Sequence, residues 1–519
     1  MQHSIRLSPT TEGAFFVTSI NRPAISGFHP DPTLCRAGTR YFLANSSFEY
    51  FPGAPIFASD DALAWDQIGN VLTRRTQFAR GDGRPSGGIF GSTLRYHDGT
   101  FWFITTNMSD FGAGHLVVHT DDPRGPWSEP VFISGAIGID PDIAWDDGGT
   151  CYLTWCGFGP TPQQSGIVQA RVNLEEGILL EPPYRVWQGT GLAYPEGPHL
   201  YQRDSYWYLL LAEGGTERGH TVTIARCTSP AGPFVPCPAN PILTHRSLPG
   251  AVQNVGHADL LEREDGSWVA AYLGVRIQGS SPGFHVIGRE TFVCAIDWSD
   301  DWPVFVEGGV TIPTVDHSFS DDFVGDLDPR WISPSGDPAS IARSPLDGGL
   351  ELMSSIDGGD GSLLCTRVRD LSWSASVTVD AAGGGVRMVV RIDDRHWYGV
   401  EVRDGRVRAM GRVGDLTQEF AERDIHSPRT VLRISTVVPV NAGELGGNVG
   451  PDDIVLGFDG ADGFVELARL DGRYISTEVA GGFTGRMIGL GALTTHARVL
   501  SFSYKDSTES ESPDPHDVR

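Results

Sequence analysis

The sequence predicts an all-β chain in which a five-bladed β-propeller is followed by a β-sandwich. Three observations lead there. A polar turn running into an aromatic, alternating strand recurs five times, and the texture of the chain changes near Val315. Gly (65) and Pro (35) are abundant beside 13 Trp, 13 Tyr and 25 Phe, a composition suited to many short strands joined by turns.

The five copies are Ala37 to Phe48, His97 to Asn107, Asp146 to Gly157, Gln202 to Gly215 and Arg263 to Arg276. They lie about 50 to 60 residues apart, within the range of a propeller blade. His115 to Trp127 and Val222 to Phe234 add a following apolar strand, a polar turn and a Gly-Pro-aromatic close. Two packed sandwiches would also give many short strands, but not this long shared period. The propeller is assigned to residues 1–315.

From Asp316 onward, LSWSASVTVDA, GVRMVVRIDDRHWYGVEVRDGRVRAMGRV and GRMIGLGALTTH alternate apolar and polar residues, with DG and DD turns between them. That pattern is antiparallel, and residues 316–505 are assigned to a concanavalin-like β-sandwich. Val440 to Asp453 reads as a mobile surface loop, and 506–519 as a disordered tail.

At 519 residues the chain exceeds one ordinary core. A net charge of -26 with no Lys/Arg-rich run argues against nucleic acid, whose phosphates would be repelled. The seven cysteines are odd in number and lack zinc-ligand spacing, so free, mostly buried thiols in a reducing compartment are expected. The first residues have no continuous apolar segment, and nowhere does a run approach the ~20 apolar residues of a membrane span. A cytoplasmic protein without membrane partners is the expectation, with homo-oligomerisation left open.

Three acids stand out. Asp31 lies between Pro30 and Pro32, Asp140 precedes Pro141, and Glu196 sits between Pro195 and the Gly197-Pro198 pair. Proline fixes φ and removes a ladder donor, which an ordinary strand tolerates poorly. Any one of these acids could simply occupy a turn. Three of them, each ahead of the aromatic strand of a different blade, can converge on one central funnel. Inverting glycoside hydrolysis needs a base to activate water and an acid to protonate the leaving oxygen. A third carboxylate can keep that acid protonated, since a nearby like charge raises its pKa.

The runs GFHPDPTLCRAGTRYFLANSSFEYFPGAPIF, GIDPDIAWDDGGTCYL, YPEGPHLY, GHTVTIARCTSPAGPF, NVGHADLL and IGRETF resemble, in order, family 43 glycoside hydrolases of the β-xylosidase and α-L-arabinofuranosidase type. The resemblance implies a five-bladed propeller, inversion at the anomeric carbon, Asp31 as general base, Asp140 as pKa modulator and orienter, and Glu196 as general acid. It also implies Phe48 packing on the terminal sugar, with a blade-core aromatic as the alternative. Arg289 is implied to bind sugar hydroxyls, the alternative being an ion pair with Glu290. His257 is implied near the propeller axis, where some relatives hold a water or a calcium ion; no cofactor is required. Phe90-Gly91-Ser92 stands where many relatives have Trp-Ala-Pro, a change that would reshape one pocket wall. The second domain resembles the C-terminal sandwich of larger β-xylosidase-type members, which helps close the pocket and favours an exo mode. A core role is expected for His396 and Trp397 in its most distinctive stretch, Arg391 to Val402.

The expected function is therefore an inverting exo-glycosidase releasing terminal β-D-xylose from small xylo-oligosaccharides. An α-L-arabinofuranosidase or bifunctional enzyme is the alternative within the class. A non-catalytic sugar-binding propeller is the alternative outside it.

Overall fold

The computed structural model describes residues 22–507 except 79–83, 160–164, 280–281, 335, 347, 355–361 and 438–448. The expected disordered tail lies outside them from residue 508, as does most of the expected mobile loop at 440–453.

Five antiparallel sheets form the propeller, each a meander from an inner to an outer strand. The inner strands are Thr33–Ala37, Ile89–His97, Gly138–Trp145, Glu196–Arg203 and Val252–Glu262. The aromatic repeats are the second strands, Arg40–Ala44, Thr100–Asn107, Cys151–Phe158, Tyr206–Glu213 and Trp268–Arg276. These strands are buried on both faces, which explains their rich aromatic and β-branched content. The ring is closed by the segment ahead of the first blade: the backbone N–H groups of Ala24 and Ile25 donate to Thr291 O in the last blade.

One half-buried cation ties the inner strands together. Arg95, in the second blade, donates to Asp142 Oδ1 (2.8 Å) in the third, Asp259 Oδ2 (2.8 Å) in the fifth and Leu34 O (3.1 Å) in the first. It also meets His199 Nδ1 at 3.1 Å in the fourth. Thr33 and Tyr201 donate their hydroxyls to Asp259 as well. Burial alone would raise Asp259, but Arg95 and these donors hold it far below the usual carboxylate range.

The sandwich consists of an eight-stranded and a six-stranded sheet. Strand Trp373–Asp380 alternates buried and half-buried residues along its whole length, the signature of a sheet with one face on the core. Trp331, Trp373, Val377, Met388, Val400, Leu432 and Leu456 fill that core. The end of the expected mobile loop is in fact anchored. Asp452 is buried in a bidentate pair with Arg486, whose Nη2 lies 2.9 Å from Asp452 Oδ1, and Asp453 begins a strand. A fully buried guanidinium requires such a partner, and the run of glycines before it hides that requirement in the sequence.

Backbone and side chains join the two domains. Phe51 and Ser333 exchange backbone hydrogen bonds (2.8 and 2.7 Å). Phe28, Phe48 and Tyr50 of the propeller share one apolar cluster with Cys365, Val389, Trp397 and Met487 of the sandwich. Trp397 thus has the expected core role, while His396 pairs with Asp393. All seven cysteines are free, and six are buried. Among the described residues no helix is long and apolar enough to cross a membrane.

Candidate active site

Local backbone geometry places the acids. In four blades the inner strand slips register just where it reaches the funnel: between Ile89 and Ser92, opposite Ile139 to Asp142, between Glu196 and His199, and between Gly256 and Asp259. β-Bulges re-aim side chains in this way. Pro141, after Asp140, and Pro198, after Glu196, fall inside these slips, where no ladder donor is needed. Asp31, Asp140 and His257 adopt left-handed φ of 51°, 54° and 47°. Such φ values cost on the order of 1–3 kcal/mol each and persist where the surroundings over-determine them.

The Arg95 network provides those surroundings. Two residues beyond Asp31, Asp140 and His257 stand Thr33, Asp142 and Asp259, which bind one another or Arg95 one layer below. The funnel residues are therefore held from beneath.

Asp31 is buried at 4% exposure. It accepts from Ser46 Oγ (2.6 Å) and Arg289 Nη1 (3.1 Å), and His257 Nδ1 lies 3.4 Å from the same Oδ1. Burial pushes its carboxyl up, but Arg289, His257 and Ser46 outweigh burial and hold it below its ordinary value. Glu196 behaves oppositely. Burial raises it to about 7, with the Asp31 charge adding and Arg289 opposing. Asp140, 7% exposed, is also raised to about 7 by burial, with His257 opposing and Glu196 and Asp31 adding. Its Oδ2 accepts from the Gly197 N–H (3.1 Å), which draws the third and fourth blades together. One carboxylate ionised at ordinary pH and two poised near neutrality is the arrangement acid–base chemistry needs.

The other expected residues gather here too. Arg289 is paired with Asp31 and with Thr216 Oγ1 (3.0 Å), not with its neighbour Glu290, which binds Arg276 instead. Phe48 is 2% exposed and stacks between Phe28 and Phe483. His257 lies beside Asp31 with Gly197 against its ring, where an added Cβ would come within 3.1 Å. The Asp31 carboxylate oxygen beside its ring also faces the Arg289 guanidinium. The three metal-capable side chains that cluster among the described residues are elsewhere, at His317, Asp370 and Asp506.

Several site residues escaped sequence reasoning. Phe483, from the sandwich, closes one wall with Phe48 and Phe90 (ring centroids 5.5 and 5.8 Å), and Arg289 lies over both Phe48 and Phe483. Its backbone N–H is held by Ser86 Oγ of the propeller (2.8 Å). No local signal in GGFTGR marks it. Gly91 has a different role. A Cβ there would sit 2.4 Å from Asp140 Oδ1, so the missing methyl leaves room for that carboxylate.

Comparison with known proteins agrees with this geometry. The model of glycosyl hydrolases family 43 matches residues 20–303. That of the beta xylosidase C-terminal concanavalin A-like domain matches residues 320–505. A non-reducing end α-L-arabinofuranosidase of Bacteroides ovatus is 32% identical over 502 residues, covering 91% of this chain and 91% of that protein. A xylosidase/arabinosidase of Butyrivibrio fibrisolvens is 42% identical over 303 residues, which span 56% of each chain. Among solved structures, the Bacteroides ovatus xyloglucan PUL GH43B protein superposes with a TM-score of 0.83 at 30% identity, covering 94% of this chain and 99% of that one. A xylan β-1,4-xylosidase of Bacillus halodurans C-125 gives 0.81 at 27% identity, covering 94% and 100%.

Proposed function

The chain belongs to glycosyl hydrolases family 43, and from that premise we propose that it is an inverting exo-glycosidase releasing terminal β-D-xylose from short xylo-oligosaccharides. The observation that carries the reading is the split in acidity within one funnel: Asp31 held low, Glu196 and Asp140 raised to about 7.

In this mechanism ionised Asp31 takes a proton from the attacking water. Arg289 and Ser46 fix the carboxylate's orientation and keep it ionised. Glu196, still protonated below about 7, delivers its proton to the leaving oxygen. Asp140 holds the Gly197 N–H beside Glu196 and so positions the acid. The wall of Phe48, Phe90 and Phe483 excludes water from one side, which favours attack at a chain end. A cytoplasmic location would suit imported oligosaccharides.

A second reading has specific support. The relative of Bacteroides ovatus that matches 91% of this chain is an α-L-arabinofuranosidase, so arabinofuranose release, alone or beside xylose release, is the alternative. Steady-state kinetics on xylobiose and on the nitrophenyl β-D-xyloside and α-L-arabinofuranoside decide between them. Dominance of the arabinofuranoside would replace xylose as the glycone. NMR of the first-formed anomer tests inversion, and a retained product would sink it.

A further inference from the structure

Tyr194 is the most exposed large aromatic among the described residues, at 73%. It stands two residues before Glu196, on the segment that leads into the strand presenting that carboxyl. Its φ of 51° is an outlier for a bulky side chain and costs free energy that an ordinary loop would shed by placing Gly there. Two contacts hold it in place. The Gly214 N–H donates to Ala193 O, and the Tyr194 ring lies over Gly215, where an added Cβ would sit 3.2 Å from Cδ2. The next residue, Thr216, accepts from Arg289. The ring therefore lies between the strand that presents Glu196 and the turn that steadies Arg289.

Resting on the glycosidase reading above, we propose that Tyr194 is the stacking platform for the sugar on the leaving-group side of the scissile bond. Glu196 protonates the leaving oxygen, so the departing sugar must lie on the mouth side of that carboxyl. A pyranose presents a face of C–H groups, which an electron-rich ring attracts while covering apolar area. A sugar stacked on the ring would cover apolar area that the fold leaves exposed. The terminal pentose, deeper in the funnel, does not reach it. Tyr194 thus sets preference for a sugar leaving group without touching the reacting atoms.

The test compares two substrates that share a glycone. β-D-Xylosyl fluoride has a one-atom leaving group, while xylobiose has a whole sugar; the arabinofuranosyl fluoride and arabinobiose pair is run alongside. For Tyr194→Ala, kcat/KM on the disaccharide should fall about tenfold, while the fluoride stays within about twofold. Tyr194→Phe should keep both rates. Tyr194→Gly should match Tyr194→Ala in kinetics without any loss of thermal midpoint, because it relieves the left-handed φ. Equal losses on fluoride and disaccharide, or no loss on the disaccharide, would overturn the platform alone. A wild-type chain inactive on both pairs would overturn the glycosidase reading and the platform with it.

Discussion

Arg289 Nη1 lies 3.1 Å from Asp31 Oδ1 inside a buried funnel, and this contact heads the interactions that keep Asp31 below its ordinary pKa against the cost of burial. Replacing Arg289 with Met removes that opposition. The acidic limb of kcat/KM against pH is expected to move up by about 1–2 pH units, with activity falling by about 10²-fold or more. An unmoved acidic limb would show that Arg289 acts only on the sugar.

On the proposed mechanism the basic limb is expected to belong to Glu196. An acid catalyst must be protonated, so activity should decline as pH rises through about 7, the value to which burial lifts it. Glu196→Gln should cost about 10²–10⁴-fold on xylobiose. The loss should be far smaller on a dinitrophenyl glycoside, whose leaving group needs no proton. Equal losses on both substrates would remove Glu196 from the acid's role.

Asp140 links pH to stability. Its folded-state pKa is raised to about 7, so its favourable contribution is full below the ordinary carboxylate value and is lost as pH rises through about 7. Asp140→Asn should therefore stabilise the chain by about 1–3 kcal/mol at pH 8 and not at pH 4. Chemical denaturation at the two pH values measures this, and a gain at pH 4 equal to that at pH 8 would exclude the titration as cause.

Arg95→Met should be among the most damaging substitutions outside the funnel. It leaves Asp142 and Asp259, both 0% exposed, without their cation. A loss of about 3–5 kcal/mol is expected from breaking such buried pairs on one side. Urea denaturation reads it directly, and a loss under about 1 kcal/mol would mean that the remaining donors suffice.

Phe483→Ala tests the sandwich's share of the pocket. Opening the wall beside Phe48 and Phe90 should raise KM for xylobiose about three- to tenfold with a smaller change in kcat, consistent with one aromatic contact. Unchanged kinetics would reduce Phe483 to a structural plug.

The propeller and the convergence of three acids were legible because both are local. An aromatic strand after a turn announces a blade, and an acid beside proline announces a break in the ladder ahead of it. The slips that contain Pro141 and Pro198 give that second signal a structural meaning. The Arg95 layer was half-legible. The spacing Asp140/Asp142 and His257/Asp259 is plain in GIDPD and GHAD, but nothing local says that one arginine serves both carboxylates. Phe483 was not legible at all, since its meaning comes from contact with Phe48 and Arg289, far away in the chain. The family resemblance assigns Asp140 the task of raising the acid. In the folded chain burial leads among the causes at Glu196, and the charges of Glu196 and Asp140 face each other across the funnel.

The seat of Phe483 against Phe48 also has a bearing on biosynthesis. During synthesis Arg289 and all three acids leave the ribosome almost two hundred residues before Phe483. A nascent propeller can close its ring, since the Ile25 and Thr291 segments that seal it are both already present. Its pocket nevertheless lacks a wall until the last strands of the sandwich emerge and Phe483 meets Ser86. Full turnover of oligosaccharide thus reports that the sandwich has been made and that both domains have docked.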